Sequence, residues 1–95
     1  MLNNQFMKDP DAVLDYMFDW RDASTPWLAT SETIVGHTIT ADTGLVVDSS
    51  TENNGKVTVW LSGGTAGINY KVACRITTNE GRVDERTIWI KVTDR

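Results

Sequence analysis

NYKVACRIT, residues 69–77, sets Tyr70, Val72, Cys74 and Ile76 on one side of an extended chain and Lys71, Ala73, Arg75 and Thr77 on the other. A period of two residues is that of a strand with one face in a core and the other in water. The same pattern lies on both sides of this run. Upstream, KVTVWLSG (56–63) alternates Val57, Val59 and Leu61 with Thr58 and Trp60; downstream, TIWIKV (87–92) sets Ile88, Ile90 and Val92 against Thr87, Trp89 and Lys91. Three such runs need a shared interior.

Working outward, further β-type runs fall near 33–40 and 44–48, and the central runs extend to 56–62, 68–78 and 83–93. Clusters of Gly, Asn, Asp and Ser punctuate them: Asn53, Asn54 and Gly55 before one strand, Gly63 and Gly64 after it, and Asn79, Glu80 and Gly81 between the last two. These residues tolerate the positive φ of tight turns, and their spacing is that of a sandwich. Gly36 inside a strand pattern suggests a bulge. DSSTENNG (48–55) reads as a loop.

Two patterns compete before residue 33. Asp9, Pro10 and Asp11 resemble a helix start, followed by Val13, Leu14, Met17 and Phe18 at helical spacing. Leu14, Tyr16, Phe18 and Trp20 also alternate with Asp15, Met17 and Asp19, which is a strand signature. A strand over 13–20 is favoured, because a sandwich beginning at Thr33 lacks an edge. Residues 1–12 are then a tail and 13–95 the domain, with Pro26, Trp27 and Leu28 in a connection that folds Trp27 onto the core. Tyr70 follows the Gly-containing segment GGTAGIN and opens an inward-alternating strand. That is the position of the corner tyrosine in immunoglobulin-like sandwiches, although an ordinary buried strand tyrosine fits as well. The predicted fold is an all-β, immunoglobulin-like (fibronectin-III-like) antiparallel sandwich of about seven strands without a disulfide.

Ninety-five residues suffice for one domain. A net charge of −4 and a pI near 4.7 leave no basic field for nucleic acid. The start MLNNQFMKDPDAVLDY has neither a basic n-region nor an apolar h-region, and no long apolar run offers a membrane span. Synthesis and retention in a cytosol are expected, unless the protein leaves inside a larger assembly. Cys74 has no second cysteine to pair with, and His37 is the only histidine, so a structural zinc set is not expected. Residues 1–48 carry eight acids against two bases, and residues 49–95 carry five against seven. Pairing between neighbouring strands accounts for this; so does head-to-tail contact between copies in a ring.

Asp9, Asp11, Asp15, Asp19 and Asp22 invite a metal or catalytic reading, but a solvated strand face explains Asp15 and Asp19, and no ligand loop follows. DSSTENNG lacks the glycine position and distal Glu of a helix-loop-helix calcium site. No nucleophile elbow surrounds a Ser, and GGTAG lacks the Lys of a phosphate loop. No catalytic, cofactor-binding or metal residues are predicted. Trp60 and Trp89 fall on the outward register and expose a patch, which together with Trp27, Asp15 and Asp19 is the candidate protein interface. A register shift that buries them, an N-terminal segment that covers them, or a glycan platform of Trp60, Trp89 and Tyr16 are the competing readings.

Taken together, KDPDAVLDYMFDW (8–20), WLATSETI (27–34), VTVWLSGGTAG (57–67) with Tyr70, and RITTNEGRVDER (75–86) resemble a family of small bacteriophage and prophage virion proteins often described as fibre-tail adaptor proteins. The resemblance runs from Lys8 to about Val92 and is most specific in WLSGGTAG and TNEGR. It implies an immunoglobulin-like virion component that joins tail and fibre parts by protein contacts and has no catalytic residues to transfer. A capsid decoration or head-tail connector subunit, and a carbohydrate-binding module, are the alternatives.

Overall fold

A computed structural model describes residues 5–21 and 27–93. Seven strands follow in order: β1 (Gln5–Lys8), β2 (Leu14–Asp19), β3 (Ile34–Ala41), β4 (Leu45–Asn53), β5 (Lys56–Gly63), β6 (Asn69–Thr78) and β7 (Val83–Val92). They form two sheets, ordered β1-β7-β6-β3 and β2-β5-β4, and no helix occurs among the described residues. All pairings are antiparallel except β1 on β7. The fold is an all-β sandwich, and its one cysteine forms no disulfide.

The central alternations set the core. Val57, Val59 and Leu61 of β5, Val72, Cys74 and Ile76 of β6, and Ile90 and Val92 of β7 are fully buried between the sheets. Each larger aliphatic chain removed from water this way contributes about 1.5–3 kcal/mol. Tyr70 closes one end of this layer, and its hydroxyl accepts the Thr65 N–H at 2.9 Å. The ring lies against Gly44 and Gly64. A Cβ on Gly64, at φ +95°, would sit 2.6 Å from Val92 Cγ2. Asn54 (φ 52°) and Gly55 (φ 84°) are both left-handed, the two-residue turn that matches strand twist between β4 and β5.

Residues 14–19 are strand, not helix, because Phe18 and then Trp20 enter the core beside Val57 while Asp15 and Met17 stay exposed. Residues 5–8, expected to belong to a tail, form β1 instead. Phe6 pairs with Ile90 and Lys8 with Val92, and the buried Lys8 Nζ donates to Asp9 O and Gly63 O at 2.8 Å each. A lysine at a core position hid this strand from an apolar count. β4 also outruns expectation: Ser49, Ser50, Thr51, Glu52 and Asn53 pair with β5 rather than looping out. As an edge strand, β4 buries little, and a polar composition suffices. Register shifts occur between Ile34 and Gly36, as the glycine suggested, and between Val47 and Ser49.

Candidate functional site

Alternation fixes which side chains leave the sandwich. On β5, burial of Val59 and Leu61 turns Trp60 outward, where it is 41% exposed at the middle of the three-stranded sheet. Asp15 of β2 lies across one ladder and Ser49 of β4 across the other. Met17 and Val46, both exposed, occupy the diagonal positions, and Asp19 shares the face beside Lys56. On β7, burial of Ile88 and Ile90 turns Trp89 outward at 44% exposure, opposite Lys71 of β6 and Gln5 of β1. Arg75 and Lys91 lie on the same face.

Both tryptophans are therefore exposed, but they belong to different sheets, so they mark two opposite faces instead of the single patch expected. One face carries Asp15, Asp19 and Lys56, the other Lys71, Lys91 and the Arg75–Glu85 pair, so their net charges differ in sign. Tyr16 joins neither. Its ring turns inward 5.4 Å from Phe6, and its hydroxyl donates to Met7 O at 3.2 Å. Desolvation, then the Asp15 charge, raises its pKa. A glycan platform of Trp60, Trp89 and Tyr16 is not assembled.

Trp27 is half-buried against the core, with the Arg82 guanidinium 4.0 Å above its ring. This cation–π contact belongs to a clasp that no linear spacing announces. Buried Glu32 accepts Arg82 Nε at 2.9 Å and Thr78 Oγ1 at 2.6 Å, pairs with Arg82 Nη2, and takes the Ala29 N–H at 3.1 Å. The Arg82 and Thr78 hydrogen bonds hold its carboxyl near pKa 2 against the opposing effect of burial. Arg21 ties the same connection down through Ala29 O and Glu32 O. A second polar set anchors Trp20, whose Nε1 donates to Asp84 Oδ2 at 2.8 Å beneath Arg86. Partners separated by some fifty residues in sequence leave only one trace, a Glu and an Arg at turn-flanking positions.

The remaining chemistry-bearing residues are scattered. His37 Nε2 meets Ser50 Oγ at 3.0 Å across the sheets, and among the described residues no carboxylate bonds to its ring. Cys74 lies in the core, where burial, then the Glu85 charge, pushes its thiol up to about 12. Asp19 Oδ1 accepts the Arg21 N–H, and Asp9 Oδ1 accepts the Asp11 N–H, both as turn contacts. Among the described residues no three His, Cys, Asp or Glu side chains come together as a metal set. Asp22 and Pro26 lie outside the described residues.

No curated protein matches the chain. Residues 8–91, however, match the family described as podophage GP4 fiber-tail adaptor protein gp77. That span takes in β2 to β6, almost all of β7 and both exposed tryptophans, so the chain belongs to the podophage GP4 fiber-tail adaptor protein gp77 family.

Proposed function

We propose that the chain is a non-catalytic virion component that joins tail and fibre proteins through its two sheet faces. Trp60 anchors one neighbour and Trp89 another. The observation that carries this reading is the exposure of one large aromatic at the solvent side of each sheet. An adaptor needs two contact surfaces, and central aromatics rimmed by charge are the residues that dominate protein interfaces. The family's description supports the assembly role. The order of the strands, with β2-β5-β4 facing β7-β6-β3, supports an immunoglobulin-like assignment, and the Tyr70 hydroxyl bond supports its corner role.

The test replaces each tryptophan by lysine in the full chain and measures incorporation into particles and fibre content. Truncating an interface anchor costs about 2 kcal/mol or more in binding. Trp60→Lys and Trp89→Lys are each expected to keep the native fold and lose a different neighbour. Wild-type incorporation and fibre content for both variants would remove the reading. The opposite charge of the two faces favours a second arrangement, contact between copies in a ring; sedimentation of the purified chain, sensitive to salt, tests it.

A further inference from the structure

Among the described residues β2 is the edge of its sheet and pairs only with β5. Trp20 N–H donates to Gly55 O at 3.0 Å, a single bond that continues the β2–β5 ladder and fixes its phase. Alternation along an antiparallel ladder then turns the backbone of Leu14, Tyr16 and Phe18 toward β5. The N–H and C=O groups of Asp15 and Met17 turn toward the open edge. Edge strands are usually blunted by charge, proline or a bulge; LDYMFD (14–19) has no proline, its register runs unbroken, and its only charges are the two acids Asp15 and Asp19.

Exposed apolar side chains collect around the same edge. Val13 is 56% exposed, Met17 55% and Met7 51%, and Leu14 is exposed beside them. Trp60 borders this strip through its partner Asp15. From Asp9 to Trp20 the chain carries Asp9, Asp11, Asp15 and Asp19 and no basic residue. Among the described residues neither Asp11 nor Asp15 forms an ion pair.

We infer that this edge receives an extended segment of a neighbouring virion protein as an added strand beside β2, and that the segment alternates basic with apolar side chains. Its outward side chains meet Asp15, Asp19 and Met17. Its inward side chains cover Leu14 and the exposed side of Phe6, at the gap between the sheets. Backbone hydrogen bonds supply affinity and the alternate side chains supply selectivity, the usual division of labour in strand addition. The inference rests on the adaptor reading and names its mode of contact.

The probe is a blocked peptide of alternating lysine and valine, matched in length to β2, added to the labelled full chain. Amide signals of Asp15 and Met17 are expected to shift and to gain protection from exchange, while those of the β4 edge stay unchanged. Met17→Pro removes an outward N–H without touching the β2–β5 ladder, so melting is expected to stay close to wild type while peptide affinity falls about tenfold. Equal binding by Met17→Pro, equal binding of an alternating glutamate and valine peptide, or shifts confined to β4 would overturn the inference. Concentration-dependent protection of Asp15 and Met17 without peptide would assign the edge to a second copy and overturn it too. A folded Met17→Pro chain that enters particles normally would sink strand addition alone, because the adaptor reading stands or falls on the tryptophan variants.

Discussion

Tyr70→Phe isolates the contribution of a single oxygen atom. The ring is almost wholly buried, and its hydroxyl accepts the Thr65 N–H at 2.9 Å. The substitution keeps the ring against Gly44 and Gly64 and deletes only the acceptor. Thr65 is exposed, so its N–H can turn to water, which places the cost near the net value of one hydrogen bond, about 1 kcal/mol. For a domain of this length that corresponds to a fall in melting temperature of about 4–8 °C. Tyr70→Ala, which also empties the ring's volume, is expected to cost about 3–5 kcal/mol. Thermal and urea denaturation followed by tryptophan fluorescence measures both, and hydrogen exchange at the Thr65 amide reports the bond itself. If Tyr70→Phe melts within a degree of wild type and Thr65 exchange is unchanged, the hydroxyl contributes nothing and the residue acts only as packing.

Three further perturbations address other parts of the sandwich. Because the folded Glu32 carboxyl sits near 2, below its ordinary 4.5, the clasp's stabilisation is complete above the higher value and is lost as pH falls toward the lower. Melting between about pH 6 and pH 2 should show wild type losing stability in acid, with Glu32→Gln less stable at neutral pH and flatter across that window. Cys74, with its thiol near 12, should resist a thiol-specific reagent at pH 8 in the native state and react only as fast as the sandwich opens; prompt labelling would contradict its burial. Lys8→Met removes two charge-assisted bonds to main-chain carbonyls and should cost about 2 kcal/mol, with amides of β1 exchanging faster than those of β6. Uniform exchange changes would mean that Lys8 does not pin β1 locally.

The parts of the fold that could be read from sequence were those governed by local periodicity. The inward sets of β5, β6 and β7 follow directly from alternation, and so does the exposure of Trp60 and Trp89. What alternation cannot supply is which strand joins which sheet. β5 and β7 look alike in one dimension, yet they lie in opposite layers, and so two tryptophans with the same outward register end up on opposite faces. The helix-or-strand conflict at 14–19 was settled by Trp20, whose buried indole needs both the core and Asp84. β1 escaped detection because Lys8 occupies an inward position with its ammonium satisfied by two carbonyls, an arrangement that composition counts as surface. The Glu32–Arg82 pair likewise escaped detection, since the two residues lie 50 apart in sequence.

The parallel run of β1 beside β7 also has a mechanical meaning. Tension entering at Gln5 and leaving past Val92 pulls the two strands along their length in opposite senses, so their hydrogen bonds are strained together in shear instead of opening one at a time. Lys8, gripping the carbonyl of Gly63 in the other sheet, adds a cross-tie at the far end of the same seam. The short first strand thus acts as a latch against extension.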